Sequence, residues 1–513
     1  MNKPQKDSLG NIEKTFPTVR LTKVHLENFR NVEKGDITLS DEKSFDPSNV
    51  KSNILGIYGQ NGSGKTAFIE ALTILKRLMS GEEIGKEFTD CIAFGKKIAS
   101  LEFTFNLYFS DIKLELQATY SFCLTTQTKK KENKDKGMIF EENVVNEGYH
   151  DIENIIDSGK NNKIVVFNEK FYLDEESSKK QISSKKQISS RKQISSRKQI
   201  IIDTSSKTAP FVPDTKRKLL VGGKNQDQVL ELAKSIARDN SKSFIFSKET
   251  LSVFGKNDQK NIYIVILSFL YMYAKQYLFV LPTKSAGLIR LNEALPLHFR
   301  LGIIQFGSNE PIVIPERAIK IVKYIITNTS LVLEQLVPGL TIDIKQLSET
   351  LIKEDETTEK AFNVILIAKR DGKELPLRDE SDGVRRIISI LNLLIFAFNN
   401  QFVTLAIDEF DAGVYEYLLG EILQIMEEYG KGQFIFTSHN LRPLEVINKK
   451  FICFTTTNPT KRYFRLKNVA ATNNLRDTYF REILLREQKE ELYKPTKRFK
   501  IISAMKKANL ELK

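Results

Sequence analysis

Apolar and polar residues alternate over residues 18–39 and again over residues 98–108 and 114–122. A period of two sends successive side chains to opposite faces, as in a strand with one buried face. Ser110 and Asp111 fall between the last two segments and predict a hairpin turn. The early part of the chain is therefore predicted to form antiparallel strands.

A second pattern repeats every three or four residues, which is the spacing of one helix face. It predicts a helix with Phe68, Ala71, Leu72, Leu75 and Met79 on one side, and further helical segments at 227–254, 315–336 and 384–395. Short apolar runs at 54–58, 362–369, 402–409 and 433–437 predict buried strands. Helices and strands that alternate in this way predict an α/β fold.

Regular patterns stop in the middle of the chain. Residues 125–159 are rich in Lys, Glu and Asn, and residues 177–200 are four tandem copies of SSKKQI or SSRKQI. One apolar residue in six cannot support a core, so a solvated loop or a ragged ribbon is expected there. A basic contact arm is the alternative.

Composition changes this picture in two ways. The formal net charge is +14, but the repeats carry eight positive charges and no acid, so 14 − 8 = +6 remains for the rest of the 513 residues. The charge argument for a nucleic-acid partner weakens accordingly. The three cysteines lie far apart without CxxC spacing, and the first residues lack the apolar core of a signal peptide. A cytoplasmic protein is expected.

Residues 59–66 read GQNGSGKT, directly after one apolar run and directly before an amphipathic helix. Such a loop cradles phosphates with backbone N–H groups, and the helix turns its positive N-terminus toward them. Lys65 should reach the β- and γ-phosphates, and the Thr66 hydroxyl should bind Mg²⁺. The predicted phosphate-binding residues are Gly59, Asn61, Gly62, Ser63, Gly64, Lys65 and Thr66.

A second acidic motif follows the apolar run 402–407. Asp408 is expected to hold Mg²⁺, directly or through water, and Glu409 to polarise the attacking water. His439 ends the next apolar run and could contact the γ-phosphate or orient water; a structural loop histidine is the alternative. Together with Lys65, these residues predict a catalytic site for phosphoryl transfer.

Residues 262–281 have the length and apolar character of a membrane span. A single span there would separate the phosphate-binding loop from Asp408 and Glu409 across a bilayer, so that they could not share one nucleotide. A buried helix, or a helix followed by a strand, is therefore expected, with no membrane partner.

Ser381 and Gly383 precede the apolar stripe of residues 384–395. A Ser and a Gly at a helix N-terminus can form an anion site, although the same residues also make an ordinary helix cap.

The ordered motifs resemble those of ABC/SMC-type ATPases, within the group related to OLD and RecF proteins. The matching segments are NFR at 28–30, GQNGSGKT at 59–66, ESDG at 380–383 with RR after it, AIDEFD at 406–411, TSHN at 437–440 and NNLRDTY at 473–479. The resemblance covers residues 18–125 and 300–480. It implies a P-loop NTPase of the ABC ATPase type, with a mixed sheet, flanking helices and a largely helical insertion.

In that group, ATP is sandwiched between two head-to-tail protomers. The resemblance therefore implies a homodimer or higher oligomer in which Ser381 and Gly383 of one copy touch the γ-phosphate held by the other. Asp411 would lie in the connecting loop at that interface, and the cofactors would be ATP and Mg²⁺. The implied organisation is an N-terminal lobe at 1–125, the insertion at 126–300, a C-terminal lobe at 301–480 and a basic tail at 481–513.

Several departures from the group's patterns shape the functional hypothesis. ESDGV replaces the transporter signature LSGGQ, and no Q-loop glutamine is evident, Gln117 being a poor candidate. Neither the DxD cluster of an OLD-type Toprim nuclease nor the histidines of an HNH nuclease are found. The chain thus resembles the ATPases of anti-phage systems such as Septu and PARIS, which act with a separate effector protein. A RecF-like DNA clamp, with nucleic acid bound at the basic segment 494–507, is the alternative.

Overall fold

The computed structural model describes residues 16–39, 52–110, 114–128, 162–174, 198–206, 209–221, 226–255, 262–283, 294–299, 302–307, 311–354, 357–370, 372–466, 475–485, 492 and 497–510. Its strands are β1 Thr18–Phe29, β2 Val32–Thr38, β3 Asn53–Tyr58, β4 Ala99–Phe109, β5 Leu114–Thr128, β6 Asn162–Asp174, β7 Lys198–Asp203, β8 Leu278–Leu281, β9 Ala294–Phe299, β10 Gly302–Gly307, β11 Ile312–Pro315, β12 Leu340–Glu354, β13 Thr357–Arg370, β14 Lys373–Pro376, β15 Thr404–Ile407, β16 Gln433–Ser438, β17 Ile452–Thr455 and β18 Tyr463–Phe464. Its helices are α1 Lys65–Met79, α2 Asp214–Leu220, α3 Gln226–Asp239, α4 Lys248–Gly255, α5 Ile262–Gln276, α6 Glu316–Leu336, α7 Asp382–Asn399, α8 Glu416–Tyr429, α9 Pro443–Val446, α10 Leu475–Leu485 and α11 Arg498–Leu510.

The central sheet has the order β18-β17-β3-β16-β15-β8, with parallel pairing from β17 to β8. All four residues of β15 are buried, and so are the six of β16, as continuous apolar runs between covering layers require. β16 lies between β3 and β15. The carboxyl ends of the strands that precede the phosphate-binding loop, the acidic pair and His439 therefore meet at one edge.

The segment 262–281 forms α5 followed by β8, which pairs with β15. Of the two expected alternatives, a buried helix or a helix followed by a strand, the structure has the second. Among the described residues, no helix is both long and apolar enough to cross a membrane.

A second sheet is antiparallel, with the order β2-β1-β4-β5-β6-β7. It contains the predicted hairpin of β4 and β5. Gln433 joins it to the central sheet: its side chain donates to the Leu21 carbonyl oxygen at 2.8 Å and accepts from the Leu21 N–H at 3.1 Å. Because Gln433 is fully buried, these bonds fix the two sheets against each other without competition from water.

The region predicted as an insertion is built into both sheets. β6 and β7 extend the antiparallel sheet, and β8 closes one side of the central sheet, while α2 to α5 supply the expected helices. β7 begins with Lys198, Gln199 and Ile200, the last three residues of the hexapeptide repeats. The rest of the repeats lies outside the described residues. The predicted domain boundaries remain predictions.

A third sheet has the order β11-β13-β12, and β14 also pairs with β13. α6 packs on it through Val322, Ile326 and Leu333, so the predicted apolar stripe of that helix is buried in part. β9 and β10 form a separate two-stranded pair.

Candidate nucleotide-binding site

The loop between β3 and α1 can be built only with glycine at two of its positions. A Cβ on Gly59 would lie 1.8 Å from the Thr455 hydroxyl oxygen. Gly64 has φ +99°, and a Cβ there would touch the Arg462 side chain at 3.1 Å. Both positions need glycine, the first because of the close approach and the second because of its left-handed backbone. The loop therefore has the backbone form that the sequence motif predicts.

A hairpin distant in sequence supports this loop from behind. Tyr463 donates its hydroxyl to the Gly64 carbonyl oxygen at 2.7 Å, and Thr455 donates to the Tyr58 carbonyl oxygen at 3.1 Å. Arg462 bonds the carbonyl oxygens of Thr456 and Asn31. Sequence reasoning missed these residues, since they follow the loop by almost 400 positions. In the sequence they were marked only by a short segment of alternating apolar and polar residues after the predicted strand 433–437.

Lys65 is 5% exposed and folds back over the loop. Its ammonium donates to the Gly59 carbonyl oxygen at 2.8 Å and to the Gln60 carbonyl oxygen at 3.1 Å. Burial lowers the pKa of Lys65 to about 8, although Asp408 and Glu409 act to raise it. These bonds hold the ammonium at the loop, and the role of Lys65 in phosphate binding stays a prediction.

Asp408 is fully buried at the end of β15. One carboxylate oxygen accepts from the Thr437 hydroxyl at 2.5 Å, and the other accepts from the Thr283 hydroxyl at 2.5 Å. Thr283 follows β8 and was not predicted as a site residue. Two hydroxyl donors hold both oxygens of the carboxylate in place, which is how a metal-binding carboxylate is commonly oriented.

Glu409 has φ +48°, a left-handed conformation that is uncommon outside glycine. Its N–H donates to the Thr437 hydroxyl at 2.8 Å, so Thr437 joins the backbone of Glu409 to the carboxylate of Asp408. Burial raises the pKa of Glu409, and the nearby carboxylates of Asp408 and Asp411 raise it further. This environment favours the proton-accepting role predicted for Glu409.

One cavity of about 270 Å³ brings several predicted residues together. Its lining residues are Asn31, Asn61, Gly62, Gly64, Lys65, Thr66, Ala67, Glu409 and His439. Asn31 was not predicted; its side chain donates to the Gly62 carbonyl oxygen. Asp408 lies behind this lining. Gln117 lies in β5 instead, where its Nε2 donates to the Asn106 side chain at 3.1 Å.

His439 lies at the exposed rim of the cavity. The backbone N–H groups of His439 and Asn440 both donate to one oxygen of Asp411, at 3.0 and 2.9 Å. Loss of surrounding water lowers the pKa of His439, and so does the positive charge of Lys65. Asp411, predicted at an interface between copies, therefore also fixes the His439 loop within its own chain.

Arg386 lies close to Asp408 and Glu409 and is 2% exposed. It donates to the Asp408 carbonyl oxygen at 3.3 Å. Burial lowers its pKa, while the charges of Asp408, Glu409 and Asp411 act to raise it. The sequence motif included Arg386 but did not reveal this position beside three carboxylates, which a helix crossing behind β15 creates.

Ser381 and Gly383 lie outside the cavity lining among the described residues. Ser381 caps α7, its hydroxyl accepting from the Val384 N–H at 3.4 Å, and it is exposed. A Cβ on Gly383 would lie 2.1 Å from the Gly413 carbonyl oxygen. The first turn of α7 therefore packs directly on the segment that follows Asp408 and Glu409. The anion role of these two residues stays a prediction.

A family model described as an AAA ATPase domain matches residues 20–442, more than half of the chain. The chain belongs to the AAA ATPase domain family. With the parallel order of β17, β3, β16, β15 and β8, this membership confirms the predicted α/β P-loop fold of the ABC ATPase type.

Solved structures similar to this ATPase domain share little sequence with it. An SMC head bound to the C-winged helix domain of ScpA is 12% identical, with 87% of this chain and 98% of that chain covered and a TM-score of 0.39. An SMC head with an extended coiled coil, bound to the C-terminal domain of ScpA from Pyrococcus furiosus, is 12% identical, with 91% and 100% covered and a TM-score of 0.36. RecF with ATPrS is 11% identical, with 88% and 100% covered and a TM-score of 0.35. None of the curated proteins compared with the chain matches it.

The cavity of this ATPase domain fits the phosphates of ATP. The left-handed glycine at position 64 and the close packing of Gly59 shape the loop as phosphate-binding loops require, and Lys65 supplies the cation. The exposed Thr66 hydroxyl and the Asp408 carboxylate are the residues that would hold Mg²⁺. When bound, Mg²⁺ neutralises charge on the phosphates.

Proposed function

We propose that this ATPase domain binds and hydrolyses ATP in a site that a second copy of the chain completes, and that it acts as a regulatory subunit for a separate effector protein. One observation carries the proposal. Glu409 lines the same cavity as Lys65 and Thr66, whereas Ser381 caps a helix outside it. One chain thus supplies the phosphate-binding loop and the proton acceptor of its own cavity. The exposed N-terminus of its helix α7 is left to reach the cavity of a second copy.

The proton-transfer step follows from the environment of Glu409. Its raised pKa makes its carboxylate a better proton acceptor for an attacking water than an exposed glutamate. Thr437 fixes Glu409 through its backbone N–H, and the positive charge of Arg386 offsets the nearby carboxylates. His439, which lines the rim of the cavity, would contact the terminal phosphate. Lys65 holds the phosphates during the transfer.

The role in the cell rests on the resemblance to the ATPases of anti-phage systems. We assign the nuclease or toxin chemistry to a separate effector protein, as that resemblance implies. We infer that ATP-driven association of two copies controls that effector in a bacterial anti-phage defence system in the cytoplasm. Identification of the protein that co-purifies with the chain, as a Toprim or HNH nuclease or as a toxin, tests this assignment.

A substitution at Ser381 tests the composite site. Ser381→Arg should leave ATP affinity within about twofold of the wild type, because Ser381 lies outside the chain's own cavity, and should abolish hydrolysis by blocking closure of two copies. Titration with a fluorescent ATP analogue and a phosphate-release assay measure the two quantities. The control is Ser235→Arg, at an exposed serine on α3. Hydrolysis at the wild-type rate in Ser381→Arg would rule out the two-copy site.

A RecF-like DNA clamp is the second candidate function, and one observation favours it. α11 exposes Arg498 and Lys500, next to the exposed Lys497. Binding of duplex DNA that requires ATP, needs no second protein and weakens steeply with salt would support the clamp over the effector model.

A further inference from the structure

Among the described residues, the first part of helix α11 is not buried against its own chain. Every residue from 497 to 505 is exposed except Ser503, which is half-buried. The helix has 13 residues, and isolated helices shorter than about 12–15 residues are marginal in water. A helix of this length whose described side chains are so exposed would be stabilised by a partner surface.

The exposed side chains of α11 indicate the chemical character of the partner surface. Phe499, Ile502 and Met505 lie at successive helical turns and are 80%, 42% and 70% exposed. Arg498 precedes Ile502 by four residues and shares their side of the helix. The sequence of α11, RFKIISAMKKANL, has four basic residues and no acidic one. The matching surface is therefore apolar and bordered by carboxylates.

The helix α8 presents such a surface. Tyr417, Ile425 and Tyr429 lie on one side of it and are 52%, 45% and 66% exposed. Glu421 falls between Tyr417 and Ile425, Glu428 borders Tyr429, and both carboxylates are exposed. The sequence of α8, EYLLGEILQIMEEY, has four acidic residues and no basic one. α8 and α11 thus carry equal and opposite formal charge, each beside exposed apolar side chains.

A second basic and apolar face exists on α6, where Ile321 and Tyr324 are 59% and 70% exposed beside Lys320 and Lys323. The opposite face of α6 is buried against the third sheet, so α6 is stable without a partner. Only α11 combines an exposed apolar face with the absence of support from the described part of its own chain.

We propose that α11 of one copy packs on α8 of a second copy, and that α11 of the second copy packs on α8 of the first. Within one chain the two faces are both exposed, so neither covers the other. In a dimer with two-fold symmetry this contact forms twice, so that α8 and α11 of both copies are covered, as in an isologous dimer. This contact needs no nucleotide, which separates it from the ATP-dependent closure of the proposed function.

Two charge-reversal variants test the contact in full-length protein without nucleotide. The first is Glu421→Lys with Glu428→Lys, and the second is Arg498→Glu with Lys500→Glu. Sedimentation analysis should show at least about tenfold weaker self-association for each variant than for the wild type, because both contacts of each pair become repulsive. A mixture of the two variants should associate as the wild type does, since every α8–α11 contact between unlike copies is again between opposite charges.

Three outcomes would overturn the proposal. The first is wild-type protein that stays monomeric without nucleotide. The second is a mixture that fails to associate while the four changes combined in one chain restore the wild-type behaviour, which would place α11 on α8 of its own chain. The third is loss of association in the control variant Lys320→Glu with Lys323→Glu, which would assign the contact to α6.

A further variant removes apolar contact without changing charge. Phe499→Ala with Met505→Ala should also weaken self-association by at least about tenfold, because buried aromatic and apolar anchors dominate such interfaces. ATP affinity should stay at the wild-type value in all these variants, since none of the changed residues lines the cavity. Unchanged association in this variant would contradict the proposed packing. Reduced ATP affinity would instead show that the variants disturb the ATPase core.

Discussion

Glu169 lies on β6 of the antiparallel sheet, and Glu409 follows β15 of the central sheet. Both carboxylates are partly or wholly removed from water, and burial raises the pKa of both. Glu169, on β6, is 2% exposed and accepts from the Tyr120 hydroxyl at 2.7 Å, the Ser243 hydroxyl at 2.5 Å and the Phe244 N–H at 2.6 Å. The side chain of Glu409 lines a cavity instead. A raised pKa therefore does not identify a catalytic residue. What distinguishes Glu409 is its access to a cavity that Lys65 also lines.

The largest expected effect of a single change is at the cavity. Lys65→Ala should reduce ATP affinity by at least about 100-fold, because Lys65 is the only lysine of the loop 59–66 and its charge would no longer attract the phosphates. Isothermal titration measures the affinity, and chemical denaturation should show no loss of stability comparable with a change at Glu169. ATP affinity close to that of the wild type would refute the assignment of the phosphate-binding loop.

The second effect separates binding from chemistry. Glu409→Gln should bind ATP with nearly unchanged affinity and hydrolyse it roughly 100- to 10,000-fold more slowly, because the amide cannot accept the proton. Single-turnover measurements of phosphate release check the rate, and sedimentation checks for an ATP-bound oligomer that accumulates. Turnover at the wild-type rate would remove Glu409 from the proposed step.

A change at Glu169 should have the opposite profile. Glu169→Ala leaves three buried donors without their acceptor and should lower the free energy of unfolding by about 3–5 kcal/mol. ATP affinity of the folded fraction should be unchanged. Urea denaturation and nucleotide titration measure the two properties. A stable variant with impaired ATP binding would remove the distinction between the two carboxylates.

The smallest effect is the pH dependence of stability. Because burial raises the pKa of Glu169 in the folded state, its contribution to stability is complete below the ordinary pKa of glutamate and is lost as pH rises through the folded-state pKa. The wild type should therefore gain stability relative to Glu169→Gln as the pH falls from neutral toward the ordinary pKa of glutamate. Urea denaturation of both proteins across this range is the measurement. A difference that shrinks on acidification would show the opposite sign.

The sequence predicted the parts of the site that are local in the chain. The loop 59–66, the acidic pair after β15 and His439 after β16 each follow an apolar strand, and parallel pairing brings those strand ends together. The parts that local patterns could not predict are contacts between distant segments. Thr283 reaches Asp408 across 125 positions, and Tyr463 reaches Gly64 across 399. The sequence contains many hydroxyl side chains, and nothing local shows which of them contact the site. Only the order of the strands in the sheet brings Thr283 and Tyr463 to it.

The middle of the chain shows the same limit on a larger scale. Loss of periodicity after residue 125 indicated an insertion, yet β6, β7 and β8 complete the two main sheets. β8 has only four residues, directly after α5, so the apolar run 262–281 could not be divided between helix and strand from its pattern alone. Pairing with β15, which is remote in sequence, fixes its conformation.

The contact between Gly383 and Gly413 has a mechanical consequence. No side chain separates the two backbones, and a methyl group at position 383 would come within 2.1 Å of the Gly413 carbonyl oxygen. Gly413 follows Glu409 by four residues, so this contact joins the segment after Glu409 directly to the first turn of α7. In the proposed two-copy site, a movement of that segment toward α7 would press on the turn that carries Ser381.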